Sequence, residues 1–175
     1  MNKKQALVIS ILLHALLLVA AYVFQGVIFP FMRLGGLVPL LLPVAGAGIA
    51  LYEGRYTGGI AGLFAGILCD ISFNAPVGTF TVFLTLTGLG IGTLADAFIL
   101  PGFVTYYLSC FIVLVISAFI QMFPLVVLQG IAIQVLIGTA IQKIIYSLIF
   151  ALPMWFLVRG LGKRSQRTPA SRRLS

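Results

Sequence analysis

Charge is the scarcest property of this sequence. Only 8% of its 175 residues are Asp, Glu, Lys or Arg, and just three are acidic. A soluble domain carries about 25% charged residues, so a water-dispersed globule is excluded. Disorder is excluded too, because it needs low hydrophobicity and dense charge. The one histidine, His14, rules out a paired-histidine metal site. The two cysteines, Cys69 and Cys110, lie in separate apolar runs and form no Cys-x-x-Cys pair. They read as small residues facing lipid or core. No Gly-x-Ser-x-Gly elbow occurs, and no nucleophile stands beside a base. The sequence therefore offers no catalytic residue, no metal site and no cofactor site, and a non-enzymatic role is expected.

What is present is apolar surface. Hydrophobic residues make up 61% of the chain, and mean hydropathy is +1.18. The solvent must be lipid. A helical span needs about 20 apolar residues, so the chain has room for about six spans in one compact all-α domain over residues 1–162. A basic tail over 163–175, with almost no apolar residues, is expected to be disordered and drawn to the membrane surface.

The net charge of +8 does not point to nucleic acid. Lys3 and Lys4 precede the first apolar run, and Arg159, Lys163, Arg164, Arg167, Arg172 and Arg173 follow the last. With both termini cytoplasmic, Arg55 joins them, leaving only Arg33 and Lys143 for the opposite side. That bias predicts a multi-pass inner (plasma) membrane protein with both ends inside.

The apolar runs set the expected helices. The first, Ala6 to Phe24, resembles a signal peptide with Val19-Ala20-Ala21 as a cleavage site, but more hydrophobic helix follows and an uncleaved span fits better. The second, Leu37 to Tyr52, contains Pro39 and Pro43 and is expected to be kinked or broken. The others run from Gly58 to Phe73, Thr79 to Ala95, Val104 to Leu128 and Leu136 to Val158. Asn74-Ala75-Pro76-Val77-Gly78 is a turn by composition. Phe111 to Phe123 is bulky and suits a lipid-facing or loosely packed surface.

The polar residues inside these runs are few enough to weigh singly. His14 has no acidic partner on its own helix and reads as an inter-helix hydrogen-bond donor. Glu53 and Asp96 fall at expected cytoplasmic helix ends and read as loop residues. Asp70 lies among Ile67, Leu68, Cys69 and Ile71, where a carboxylate needs a partner. A backbone amide in the following turn, a cavity water or Lys143 from the last helix would serve. Asp70, Asn74 and Lys143 thus form a candidate polar pocket. Gly58, Gly62 and Gly66 recur every four residues ahead of Asp70, with Ala61, Ala65 and Cys69 as a second small stripe. Small residues at that spacing let helix backbones approach closely, which predicts a helix at the bundle centre or against a partner. Gly88-x-Gly90-x-Gly92 has no preceding strand and no lysine, so it also reads as helix packing.

Tyr56-Thr57-Gly58-Gly59-Ile60-Ala61-Gly62-Leu63-Phe64-Ala65-Gly66-Ile67-Leu68-Cys69-Asp70-Ile71-Ser72, followed by Pro76-Val77-Gly78, resembles the bacterial rod shape-determining MreD family. Gly62, Gly66, Asp70 and Gly78 are the positions that match the family pattern. The Arg-Pro-Asp that often opens that family's second helix is replaced here by Arg33 and Gly35-Gly36-Leu37-Val38-Pro39. The resemblance implies a non-catalytic scaffold of the cell-elongation complex, which organises peptidoglycan synthesis. The implied partners are membrane lipids, an MreC-like protein, MreB, RodA and a class-B penicillin-binding protein. The implied fold is similar to the substrate-binding components of energy-coupling-factor vitamin transporters. That likeness supplies the alternative function, a substrate-binding transporter subunit.

Overall fold

The computed structural model describes residues 3–28, 38–73, 78–97, 102–129 and 133–166. Every regular element among them is helical. Helix α1 (Lys3–Val23) runs into a π-helical turn (Phe24–Ile28) and is followed by α2 (Leu41–Phe73), α3 (Thr79–Ala97), α4 (Phe103–Gln129) and α5 (Ile133–Gln166). Among the described residues, three stretches are long and apolar enough to cross a membrane: Thr79–Ala97, Phe103–Met122 and Leu136–Gly160. The protein is a helical membrane protein. Ile11–Val27 is a further, shorter apolar helix.

Helix α2 is broken at Gly54, with φ 81° and ψ −173°. A side chain is strained at such a positive φ. The break folds the two arms of α2 back on one another, placing Gly46 opposite Ala65 and Ala50 opposite Gly58. The apolar runs expected over 37–52 and 58–73 are these two arms.

The expected proline kink does not form. Pro39 precedes α2 and Pro43 sits in its first turn. Amides there have no intrahelical acceptor in any case, so proline removes no bond.

The first arm is the centre of the molecule. Residues 39–51 are all buried, and Leu40, Leu42, Val44, Ala45 and Ile49 are wholly enclosed. The glycine-rich second arm is peripheral instead, with Tyr56, Ile60, Leu63, Phe64, Ile67 and Ile71 exposed along its outer side. Of the two places expected for the glycine helix, the bundle centre is taken by the first arm. The second arm's small residues face two neighbours while its large ones face outward. On α4, Phe111, Ile112, Val115, Ile116 and Phe119 are exposed as a lipid-facing surface would be, while Val113, Leu114, Ser117 and Ala118 are buried on the opposite side.

Helix α5 continues through Lys163 and Arg164 to Gln166, so the first four residues of the expected tail are helical. Residues 167–175, Arg33 and the turn residues Asn74 and Pro76 lie outside the described residues.

Candidate functional site

The second arm of α2 and helix α3 form the most specific local structure, and glycine makes it. A Cβ on Gly58 would lie 2.9 Å from the Gly88 carbonyl oxygen, and one on Gly66 would lie 2.7 Å from that of Phe80. On Gly62 it would collide with the Leu84 carbonyl group, and on Gly88 with the Gly58 carbonyl. Each advance of four residues along one helix meets a retreat of four along the other, so the two pack antiparallel, backbone on backbone. The glycine Hα that occupies the Cβ direction points at the facing carbonyl, the geometry of weak Cα–H···O contacts. Gly92 closes the seam against Arg55, whereas Gly90 faces outward with nothing nearby. The second small stripe faces elsewhere. Ala61, Ala65 and Cys69 are buried, and Ala65 is the residue opposite Gly46 of the central arm.

A carboxylate closes each end of this pair. Asp70, in the last turn of α2, accepts from the backbone N–H of Gly78 (3.0 Å), Phe80 (2.8 Å) and Thr81 (3.2 Å) and from the Thr81 hydroxyl (2.6 Å). These amides belong to the first turn of α3 and have no intrahelical acceptor. Gly78, at φ 95°, turns its N–H toward the carboxylate. At the opposite end, Asp96 in the last turn of α3 accepts from the Arg55 N–H (3.1 Å), the first amide after the break. A Cβ on Gly54 would lie 2.6 Å from Asp96 Oδ1. Antiparallel packing brings the C-terminal turn of each helix beside the N-terminal turn of the other. Each acid therefore meets amide donors and the positive end of its neighbour's dipole.

Asp96 is thus a cap and not a loop residue. Glu53 is likewise no loop residue. It is the last residue of the central arm, with its side chain buried beside His14 of α1, Oε1 to Nε2 3.6 Å. His14 does face another helix, as its isolation on α1 implied, and its partner is an acid. The fold-back at Gly54, in the connection expected between the runs ending at Tyr52 and beginning at Gly58, brings Glu53 and Asp96 to these places.

The oxygens of Asp70 are engaged by α3, while Lys143 Nζ donates to Gln121 Oε1 of α4. Asn74 lies outside the described residues. Sequence reasoning missed Gln25 and Ser147, which cap the buried start of α2. Gln25 Oε1 accepts from the N–H of Leu41 (2.8 Å) and Leu42 (3.1 Å), and Ser147 Oγ accepts from that of Leu40 (2.8 Å). The signal available was the pair of prolines marking a helix start, which must find its acceptors on other elements when it is buried.

Aromatic residues gather around the other end of the central arm. Trp155 Nε1 donates to the Tyr52 hydroxyl (3.0 Å), Arg159 lies over the Trp155 ring, and Arg55 over that of Tyr56. Tryptophan, tyrosine and arginine at one end of a bundle suit a membrane–water interface. Among the described residues, no three His, Cys, Asp or Glu side chains come together as metal ligands. Comparison with protein-family models, curated proteins and solved structures finds no match to this chain.

Proposed function

We propose that this chain is a non-catalytic integral-membrane scaffold of the bacterial cell-elongation complex, as its resemblance to MreD implies. The observation that carries the reading is the use made of Asp70. Of the stretch resembling the family motif, Tyr56 to Ser72 packs tightly against α3 in a doubly capped helix pair, and its carboxylate is committed to four hydrogen bonds within that pair. A ligand-binding carboxylate would instead offer its oxygens to a cavity. The apolar outer side of the second arm, from Tyr56 to Ile71, is left for lipid or for a partner's helix.

In this reading the chain crosses the inner membrane six times, counting both arms of α2, with both termini cytoplasmic. Arg55, Arg159 and the aromatic cluster then lie at the cytoplasmic interface. Its partners are an MreC-like protein and, through it, MreB, RodA and a class-B penicillin-binding protein. The resemblance further implies a fold similar to that of energy-coupling-factor substrate-binding components, without their transport role.

Affinity purification of the tagged chain from its own host tests this. Recovery of an MreC-like protein, and rounding of cells on depletion, are the expected results. Recovery of a paired ATPase with a coupling subunit, with cell shape unaffected, would replace the scaffold with the transporter subunit.

A further inference from the structure

Trp155 is the one tryptophan of the chain, and contacts from three elements fix its ring. Its Nε1 donates to the Tyr52 hydroxyl at the end of the central arm (3.0 Å). Phe103, at the start of α4, meets the indole edge-on with ring centroids 5.2 Å apart, and Phe156 lies beside it at 4.8 Å. The Arg159 guanidinium, one turn further along α5, sits over the indole at 4.8 Å from its centroid. Stacking of this kind settles a guanidinium while using none of its N–H donors.

Those donors have no carboxylate to meet. The chain contains three acids, and all three are engaged elsewhere. Asp70 is held by the first turn of α3 at the opposite end of the bundle, Asp96 accepts from the Arg55 N–H, and Glu53 is buried beside His14. Among the described residues, the stack on Trp155 is the one contact made by the Arg159 side chain, and that residue is exposed. Its place is that of a lipid headgroup. The apolar stretch of α5 ends at Gly160 and that of α4 begins at Phe103, so Arg159 stands where hydrocarbon gives way to the polar layer. Phe103 and Phe156, which touch the indole, are themselves exposed and give an acyl chain an apolar wall beside that charge.

We infer that Arg159, held on the face of Trp155, binds the phosphate of an anionic phospholipid whose acyl chain lies against Phe103 and Phe156. A phosphodiester can take two parallel N–H···O bonds from one guanidinium. Phosphatidylglycerol also brings the net negative charge that an arginine without a carboxylate calls for, whereas a zwitterionic lipid brings its own ammonium to the same phosphate. Arg55 is the comparison within the molecule. Its guanidinium also lies over a ring, that of Tyr56, but it donates to the Tyr56 hydroxyl (2.9 Å), and Asp96 is bound to its backbone. The inference is independent of the scaffold reading.

Trp155 is its own reporter. The purified full chain is reconstituted into vesicles of phosphatidylglycerol and phosphatidylcholine, with the acyl chains of one lipid or the other brominated, and quenching of tryptophan fluorescence shows which lipid touches the indole. An about fivefold preference for phosphatidylglycerol is expected, as one basic residue near the headgroups confers. Arg159→Gln replaces an exposed side chain, so the fold should be kept and the preference lost. Arg55→Gln, with the same net charge, should retain the preference. Equal quenching by both lipids in the unaltered chain, or a preference that survives Arg159→Gln, would overturn the proposal. So would an equal loss in both variants, which would make net charge rather than this site the selector. Relief of the quenching by sn-glycerol 3-phosphate would overturn it too, by giving Arg159 to a soluble phosphate.

Discussion

A carboxylate near hydrocarbon is tolerable only with donors at hand, and Asp70 finds four of them on the next helix. Its contribution combines a helix cap with charge-assisted hydrogen bonds. Asp70→Ala should therefore destabilise the purified protein by about 2–3 kcal/mol. Asp70→Asn keeps one acceptor oxygen and should lose about 1 kcal/mol. Chemical or thermal unfolding of both variants in one detergent measures the difference, and equal losses would show that packing rather than hydrogen bonding holds Asp70. Gly54 is the other residue on which much depends. Gly54→Ala meets both a positive φ and the Asp96 carboxylate, so a loss of about 1–3 kcal/mol is expected. Combined with Asp96→Ala, which forfeits the Arg55 cap, it should cost less than the sum of the two single losses, because the obstructing oxygen is gone.

At the scale of elements, the seam between the second arm of α2 and α3 has no side chains to give way. Gly62→Ala would push a methyl group into the Leu84 carbonyl, and only separation of the helices can relieve it. Overpacking of this kind costs about 1–3 kcal/mol. Gly90→Ala, on the outward side of α3, is the matched control. Nothing lies within 4 Å of the added methyl, and alanine favours a helix over glycine by about 0.5–1 kcal/mol. The two substitutions should thus shift Tm in opposite directions. A fall for both would mean that glycine matters here for the flexibility of α3 rather than for closeness.

For the whole molecule, the central arm of α2 sets the arrangement. It starts and ends inside the bundle, with its first amides held by Gln25 and Ser147 and its last turn beside His14 and Trp155. The fold-back at Gly54 then places Asp70 and Lys143 at the same end as the start of that arm, and Arg55 with Arg159 at the other. With the arginine end cytoplasmic, reporter fusions at Ser175 should read as cytoplasmic and those at Asn74 as extracytoplasmic. An extracytoplasmic signal at Ser175 would sink the arrangement with six crossings.

Composition by itself determined the solvent, since so few charges cannot cover a globule in water, and apolar runs of about 20 residues pointed to helices rather than strands as the spanning elements. Apolar run lengths gave α1, α3, α4 and α5 within a few residues over most of their ends, and α3, α4 and α5 each hold a stretch long and apolar enough to cross hydrocarbon. Glycine spacing marked one close-packed face, because backbone approach needs a repeated absence of Cβ. It could not say which neighbour would use that face, and the central position went to the proline-bearing arm instead. The roles of Glu53 and Asp96 were hidden as well. Both stand at helix ends, where a loop residue and a cap have the same sequence, and only the fold-back at Gly54 decides which amides or imidazole come near. The same holds for Gln25 and Ser147. Their hydrogen bonds to Leu40, Leu41 and Leu42 join residues far apart in the chain, so tertiary structure alone brings them to the start of α2.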